Sequence, residues 1–342
     1  CDSIYFDSSL PHRLKAVDKP ARTLVVIYTQ KNAITSTSSR KMRDIIQGAK
    51  HVPERRMVII DPNETALEAA DRAVEEGILD YVVLAGSPGR AGKLPKFVAE
   101  HSELIPVPEG DSYFEQCAAL GVEQVTNGRC QMIMKGGINT SIFLKAILNK
   151  EKGIGTGRRL SLVSIFEIPG LDRLLFLTDP GINPALTTGQ DVSTAKDIIL
   201  NAIDAASGMG VSNPKVAILD ANEMPSEKIP TSMDAKELSG IEWPGATVFG
   251  PLSYDLALYE ESVKHKGLQD NPVAGKADVL VVPTISGGNF LYKAWAMTMG
   301  AEVANIVVGA KVPIILASRS DTEITKFLTI CACAVYSQHK GS

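Results

Sequence analysis

The feature that most constrains the fold is a repeated alternation of short apolar segments with amphipathic ones. The segments 79–86 and 277–283 are strand-sized and almost continuously apolar, whereas Leu67, Ala70 and Val74 recur at helical spacing. Strands that are apolar on both faces belong to mostly parallel sheets covered by helices. The sequence therefore predicts an α/β fold with a buried, mostly parallel sheet and helices on both faces.

The length of the chain predicts two domains. A chain of 342 residues exceeds what one hydrophobic core usually holds. The segment 149–161, rich in Gly and Lys, separates two series of strands and helices and is the predicted boundary. Its alternating glycines follow a helix and precede a strand, which is the wrong order for a dinucleotide-binding loop. Residues 1–30 are polar and irregular up to an apolar run at 23–28, and they form an extension without an assignment.

Composition and charge argue against several classes of function. The net charge is −4 and no block of Lys and Arg occurs, so we expect no nucleic-acid partner. The apolar runs are too short for a membrane span. Five cysteines at scattered positions argue against a disulfide framework and favour buried thiols in a cytoplasmic protein. The histidines do not cluster, so no metal site is expected, and no secretory signal is visible.

An apolar strand that ends on an arginine marks a candidate anion site. The run 314–317 stops at Ser318 and Arg319, directly before the start of a helix. Ser320 and Glu323 have the spacing of a capping box, which by itself predicts only where the helix begins. Capping does not account for the arginine. Its fork-shaped cation at the carboxyl end of a strand suits a phosphate or a carbonyl group that gains negative charge.

Two further strand ends have the same character. One strand ends in Gly287 and Gly288 and leads into a helix at Asn289, and another ends in Lys135 and Gly136. Glycines at such places allow a ligand to approach the backbone closely. Three strand ends that carry glycines or a cation and each lead into a helix predict a cleft that receives an anionic ligand.

These strand ends also carry a resemblance to a known family. The chain resembles the phosphate acetyl/butyryl transferase family, and it is more similar to the phosphate butyryltransferases than to the acetyltransferases. The resemblance covers residues 36–336 and is most specific between 134 and 323. The segments that carry it are MKGGINTSIFLKAIL, TGRRLSLVSIFEIPGLDRLLFLTD, GPLSYDLAL, PVAGKADVLVVPTISGGNFLYK and GAEVANIVVGAKVPIILASRSDTE.

The resemblance implies both a fold and a reaction. The implied fold is that of the isocitrate and isopropylmalate dehydrogenases, with two three-layer α/β/α domains and a cleft between them. The first domain would contain residues 1–154 and 310–342, and the second would contain residues 155–309. The implied reaction converts acyl-CoA and phosphate into acyl phosphate and CoA, with butyryl favoured over acetyl. CoA is then a substrate, no metal or other cofactor is needed, and the protein is expected to be a homodimer or a larger homo-oligomer.

The resemblance also assigns roles to residues. Arg319 is expected to hold phosphate oxygens and the developing oxyanion, and Ser318 to donate a hydrogen bond. The acetyltransferases have a catalytic aspartate where this chain has Thr325, which cannot replace a carboxylate. Asp321 is favoured as the general base, because Glu323 is the better candidate for the helix cap. The residues expected to bind substrate are Lys135, Gly136, Gly287, Gly288, Asn289 and Glu323.

Other interpretations remain open at this stage. Trp295 and Met297 suggest a roomy apolar pocket for the acyl chain, but at helical spacing they are at least as well explained as core residues. Asn289 is as good a candidate for a helix cap as for a ligand. The missing aspartate keeps a non-catalytic, CoA- or acyl-phosphate-binding regulatory module of the same fold as the alternative. A nicotinamide-dependent dehydrogenase is less favoured, because the expected cluster of metal-binding aspartates is absent from the sequence.

Overall fold

The apolar segments of both halves of the chain pair into one mixed sheet. The computed structural model describes residues 41–53, 55–187, 191–317 and 321–341. Its strands are β1 Arg56–Ile60, β2 Tyr81–Gly86, β3 Ser102–Pro106, β4 Met132–Lys135, β5 Ser161–Glu167, β6 Leu175–Thr178, β7 Lys215–Leu219, β8 Thr247–Leu252, β9 Val279–Val281, β10 Glu302–Val308 and β11 Ile314–Ile315. They lie in the order β3-β2-β1-β4-β11-β10-β5-β6-β9-β7-β8.

Helices connect these strands and cover the sheet. They are α1 Met42–Ala49, α2 Glu64–Glu75, α3 Pro88–Ala91, α4 Lys96–Glu100, α5 Tyr113–Thr126, α6 Thr140–Ile147, α7 Ser193–Gly208, α8 Pro230–Ser239, α9 Tyr254–Leu258, α10 Glu260–Lys266, α11 Ile285–Lys293 and α12 Glu323–Gly341. A π-helical turn, Ala294–Thr298, extends α11. The prediction of an α/β fold from alternating apolar and amphipathic segments is confirmed.

The sheet changes direction at its centre. Strands β1, β2, β3, β4 and β11 are parallel to one another, and so are β6, β7, β8 and β9. Between these two groups, β10 is antiparallel to both β11 and β5, and β5 is antiparallel to β6. The change of direction lies close to the predicted domain boundaries, whose positions stay a prediction.

The side chains of each strand alternate between the two faces of the sheet, and the cores on these two faces are built differently. On one face, a single continuous core packs under α1, α2, α7 and α12, with Met57 of β1 and Val216 of β7 both part of it. On the other face there are two separate cores. One lies under α5 and α6 and includes Val58, whereas the other lies under α9 and α10 and includes Ala217.

The gap between the two cores of this second face lies over β10 and β5. Along β10, Val303 belongs to one core and Val307 to the other, and Asn305 lies between them on the same face. Its neighbour in the register of β5 is Ser164, whose hydroxyl donates to the Asn305 Oδ1 at 2.7 Å. The second face therefore has a polar centre where β10 and β5 pair.

The thiols in the described part of the chain are buried and free, as predicted. Cys117, Cys130, Cys331 and Cys333 form no disulfide, and Cys1 lies outside the described residues. Cys331 and Cys333 lie in α12, which packs across the continuous face of the sheet. Burial raises the pKa of the Cys331 thiol to about 12.

Gly288 allows α11 to pack directly on the segment that follows β6. A β-carbon at this position would lie 2.8 Å from the Pro180 Cα and 3.0 Å from the Asp179 carbonyl oxygen. At the preceding residue, Gly287, the closest atom to a β-carbon would be the Thr284 Oγ1 at 3.6 Å, which is an ordinary contact. The two adjacent glycines thus have different structural constraints.

We expect Gly288→Ala to lower the free energy of unfolding by about 1–3 kcal/mol, because the added methyl group meets backbone atoms that cannot move independently. Gly287→Ala is the matched control. It should be neutral or stabilising by up to about 1 kcal/mol, since alanine is the better helix former. Urea denaturation of both variants measures the difference, and equal stabilities would contradict this account of the packing.

Candidate active site

A cavity of about 810 Å³ occupies the gap between the two cores of the second face. Leu162, Asn305 and Val307 of the central strands contribute to its floor. Its walls come from the segment after β4, the segment after β6, the cavity-facing side of α11 and the beginning of α2. The other residues that line it are Asn63, Thr65, Ala66, Phe114, Lys135, Gly136, Gly137, Ile138, Asn139, Thr140, Pro180, Gly181, Ile182, Asn289, Tyr292, Lys293, Leu316, Ala317 and Asp321.

The wall after β4 is held tightly against the end of β1. The Gly136 amide donates to the Ile60 carbonyl at 2.9 Å, and the Gly137 amide donates to the Asp61 carbonyl at 2.6 Å. A β-carbon at Gly136 would lie 2.8 Å from the Ile60 carbonyl oxygen and would also collide with the Asp61 carbonyl. Only glycine permits this close approach, and the segment then enters α6, whose N-cap is Asn139.

Asp61 is the anchor of this wall. It is buried, has a left-handed backbone with φ of 52°, and its carboxylate accepts two hydrogen bonds from Arg90 at 2.8 and 3.2 Å. The Tyr113 hydroxyl donates to the same carboxylate at 2.9 Å, and burial raises the pKa of that phenol. Arg90 also lies over the ring of Phe114, which lines the cavity. A buried charge is tolerated in this way because it is paired and hydrogen-bonded.

The opposite wall is held by a second buried carboxylate. Asp179 accepts hydrogen bonds from the amides of Gly181 and Ile182, both at 2.9 Å, and from the side chain of Asn183 at 2.6 Å. Burial raises the pKa of Asp179, and these hydrogen bonds oppose that shift. The carboxylate thereby holds the loop 180–182 in place along the cavity.

The polar centre of the floor directs a phenol toward the cavity. The Asn305 Nδ2 donates to the Tyr292 hydroxyl at 2.8 Å, while its Oδ1 is taken by Ser164. Tyr292 accepts in this contact, so its own proton remains available to a group in the cavity. Burial raises the pKa of Tyr292 to about 12, and the phenol therefore keeps its proton at neutral pH.

The structure brings four of the predicted site residues together and leaves others outside the cavity lining. Lys135, Gly136, Asn289 and Asp321 line the cavity. The described residues on either side of the predicted catalytic pair, Ala317 and Asp321, both line it as well. Residues 318–320, which include Ser318 and Arg319, lie outside the described residues.

The other predicted binding residues have structural contacts elsewhere. Gly287 and Gly288 do not line the cavity, and Gly288 permits the packing of α11 described above. Glu323 forms an exposed ion pair with Arg72 of α2 at 3.5 Å and also lies outside the cavity lining. Substrate binding by these three residues stays a prediction.

The cap of α11 differs from the one expected from the sequence, and the expected capping box of Ser320 and Glu323 includes a residue outside the described ones. The N-cap of α11 is Thr284, whose hydroxyl accepts from the Gly287 amide at 3.3 Å, so the interpretation of Asn289 as a cap is wrong. At the start of α12, the Thr322 hydroxyl accepts from the Thr325 amide at 3.2 Å. The Thr325 hydroxyl is itself hydrogen-bonded to that of Thr322 at 2.9 Å.

The two residues suggested for a roomy acyl pocket do not line the cavity. Trp295 is buried and packs edge-to-face on Phe166, at 5.0 Å between ring centroids, so the core interpretation holds for it. Met297 is 79% exposed. Side chains on a helix diverge by about 100° per residue, which explains why residues so close to Tyr292 in sequence face other surroundings.

Sequence reasoning missed three contributors to the cavity: Tyr292, Asn305 and the loop 180–182. One signal was available for Asn305, because a lone amide interrupts the apolar strand 302–308. A buried amide requires partners and therefore marks a polar centre. Tyr292 and the loop give no comparable signal, since their position depends on how the chain halves pack.

The described residues show neither a metal-binding cluster nor a membrane-spanning helix. In these parts of the chain, no group of three or more His, Cys, Asp or Glu side chains could hold a metal ion. None of the helices described is long and apolar enough to cross a membrane.

Comparisons with known proteins give a consistent set of relatives. The family model for phosphate acetyl/butaryl transferase matches residues 105–334. A phosphate butyryltransferase of Clostridium acetobutylicum is 34% identical over 306 residues, which cover 88% of this chain and 99% of the relative. A phosphate acetyltransferase of Thermotoga maritima is 34% identical over 301 residues, which cover 86% of this chain and 99% of the relative.

Solved structures extend the comparison to the fold. A branched-chain phosphotransacylase from Enterococcus faecalis V583 superposes with a TM-score of 0.73 at 32% identity, covering 83% of this chain and 99% of that one. A putative 4-hydroxythreonine-4-phosphate dehydrogenase from Salmonella typhimurium has a TM-score of 0.50 at 15% identity, covering 83% and 99%. The second likeness shows the fold alone, and it confirms the expected dehydrogenase-like architecture.

We expect Arg90→Gln to lower the free energy of unfolding by about 1–3 kcal/mol at neutral pH. The substitution leaves the buried Asp61 carboxylate without its cation, and we discount the full cost because Arg90 is partly exposed. In an Asp61→Asn background the same substitution should cost clearly less, since no buried charge remains. Denaturant titrations of the two single variants and the double variant measure this coupling. Additive effects would show that the ion pair does not anchor the wall.

Proposed function

We propose that this chain, which belongs to the phosphate acetyl/butaryl transferase family and is a phosphate acyltransferase, moves a short acyl group between CoA and inorganic phosphate. Acyl-CoA and phosphate would give acyl phosphate and CoA, reversibly, with butyryl favoured over acetyl. The observation that carries the proposal is the cavity itself. It is bounded by Lys135 and by the two residues, Ala317 and Asp321, that enclose the Ser318–Arg319 pair.

The cavity has the charges that an acyl phosphate requires. Asp61 and Asp179, the buried carboxylates that anchor its walls, are both engaged by hydrogen-bond donors and do not oppose an anion as free charges would. Lys135 and Lys293 contribute cations to the lining. We assign Arg319 to the phosphate oxygens and to the oxyanion, and Ser318 to a supporting hydrogen bond. Preorganised donors of this kind typically lower a barrier by about 2.7–4 kcal/mol each.

Asp321 is the proposed general base in the direction of acyl-CoA formation. The CoA thiol has a pKa of about 8.5, so a carboxylate that takes its proton assists attack at neutral pH. The thiolate sulfur then bonds to the acyl carbon, the bond from that carbon to the phosphate oxygen breaks, and phosphate leaves with the electron pair. Asp321 lines the cavity. Thr325 has no carboxylate, and its hydroxyl is hydrogen-bonded to that of Thr322.

A preference for butyryl over acetyl is supported by the size and lining of the cavity. A volume of about 810 Å³ leaves room for an acyl chain beside phosphate and the end of CoA. Apolar side chains of Phe114, Leu162, Ile182, Val307 and Leu316 contribute to its surface. Each additional buried methylene group contributes about 0.8 kcal/mol, so such a surface favours a chain of four carbons over one of two.

The alternative of a non-catalytic regulatory module is not favoured. The relatives described above are named as transferases, and they match over most of their length and of this chain. The third candidate, a nicotinamide-dependent dehydrogenase, is supported only by similarity of fold.

We also propose that the protein is a cytoplasmic homodimer or larger homo-oligomer. Phe290 and Met297, on α11 and the π-helical turn, are 72% and 79% exposed, and both lie in one continuous helical segment. Large exposed apolar side chains that lie together favour an interface between proteins. Free buried thiols are typical of a reducing compartment.

A panel of acyl-CoAs with inorganic phosphate, read as release of CoA thiol, tests the reaction and the chain length together. We expect phosphate-dependent release that is faster with butyryl-CoA than with acetyl-CoA. Arg319→Ala should reduce it at least about 100-fold, the effect of losing one such donor in comparable acyl-transfer sites.

Arg56→Ala is the matched control for this variant. Arg56 is exposed at the beginning of β1, at the opposite end of the strand from the residues that pair with Lys135. Its removal should leave the rate unchanged. CoA binding without any turnover of the unmodified protein would reject the enzyme in favour of a binding module, and a higher rate with acetyl-CoA would reject the butyryl preference.

For the assembly, we expect the double substitution Phe290→Ser and Met297→Ser to shift the protein toward the monomer in light scattering coupled to size-exclusion chromatography. The physical reason is loss of apolar area that an interface would bury. Met224→Ser is the control, because this residue is 68% exposed and lies in another segment of the chain. A monomeric unmodified protein would contradict the proposal outright.

A further inference from the structure

A narrow recess adjoins the cavity where it reaches the beginning of α12. Four residues line both the cavity and this recess, and the two spaces are therefore neighbours; they are Asn305, Leu316, Ala317 and Asp321. The recess is completed by Ile315, Lys326 and Thr329. Of these, Lys326 is the one that carries a positive charge.

Lys326 is buried, and none of the described residues serves as its counter-ion. It is 6% exposed, and among the described residues it is the only lysine that is buried. Among the described residues, none forms a side-chain hydrogen bond or an ion pair with its amine. Lysine is almost never buried unless its charge has a partner. The side chain therefore points to a partner that enters from the cavity.

The position of Lys326 at the beginning of α12 adds a second source of positive potential to that of its ammonium group. It lies in the first turn of a helix of 19 residues, where the backbone dipoles give the helix end a partial positive charge. Helix starts of this kind bind anions, and a lysine ammonium group is a compact point charge that suits phosphate. Two independent features of the recess, the helix end and the unpaired amine, thus favour the same type of ligand.

We propose that Lys326 binds a phosphoryl oxygen of inorganic phosphate or of the acyl phosphate, at the end of the cavity next to α12. The inference rests on the proposed function, and it adds a cation that neither the sequence motifs nor the family resemblance assigned. An ammonium group that is taken from water without a counter-ion destabilises the folded protein. Phosphate supplies the missing charge, so its binding should stabilise the fold through this residue.

The test compares Lys326→Met with the unmodified protein in two measurements. The first is titration with inorganic phosphate alone, followed by thermal unfolding. The second is steady-state release of CoA thiol at varied phosphate and varied butyryl-CoA. Methionine keeps the length of the apolar stem and removes the charge. Lys196→Met is the matched control, because Lys196 is exposed on α7 and does not line either space.

We expect Lys326→Met to weaken phosphate binding and to raise the KM for phosphate about tenfold or more, which corresponds to loss of one hydrogen bond from a charged group. The KM for butyryl-CoA should stay within about twofold, as for a contact made to phosphate alone. Without phosphate, the variant should unfold at the same or a higher temperature, since an unpaired charge has been removed. Lys196→Met should change none of these quantities.

Three outcomes would overturn the proposal. Unchanged phosphate affinity in an active Lys326→Met variant rejects the contact, whatever happens to kcat. An equal rise in KM for phosphate and for butyryl-CoA rejects a contact specific to phosphate. An unmodified protein that neither binds phosphate nor releases CoA rejects the proposed function as well. If Lys326→Met unfolds at a lower temperature, Lys326→Gln, which keeps a polar end, is measured in its place and must meet the same criteria.

Discussion

The site depends on one break in the packing of the sheet. One face carries a continuous core, which joins the two halves of the chain, while the opposite face carries two cores that do not meet. Where they separate, Asn305 replaces an apolar residue between Val303 and Val307, and Ser164 faces it on β5. Buried polar groups of this kind must be hydrogen-bonded. Ser164 donates to the amide oxygen of Asn305, and the amide nitrogen of Asn305 donates to the Tyr292 hydroxyl at the edge of the cavity.

Two buried carboxylates hold the walls on either side of this break. Asp61 binds Arg90 and Tyr113 and supports the glycine segment after β4, and Asp179 organises the loop 180–182. Both carboxylates direct their oxygens into the protein and take up its donors. The charged side chains that line the cavity therefore include Lys135, Lys293 and Asp321. Acyl transfer to phosphate requires cations and one base, and these side chains are of both kinds.

Much of the fold could be predicted because local patterns follow directly from backbone geometry. The strands around 79–86 and 277–283 and the helix that contains Leu67, Ala70 and Val74 all form where the apolar spacing places them. The wall after β4 was also predictable, since Lys135 and Gly136 end a strand and lead into a helix. The roles of Gly287 and Gly288 could not be separated in this way, because a glycine that permits helix packing and one that admits a ligand have the same letter in a sequence.

The sequence by itself determined the α/β architecture and the family, and it pointed to Lys135, Asn289 and Asp321, which line one cavity, because strand ends and helix starts can be located from local spacing. Only the tertiary structure decided that Tyr292 and Asn305 meet in the cavity and that Trp295 belongs to a core. It also decided that Lys326 is buried with no partner among the described residues. The physical reason is distance along the chain. Asn305 meets Ser164 across 141 residues, and no local pattern records which side chains the sheet brings together.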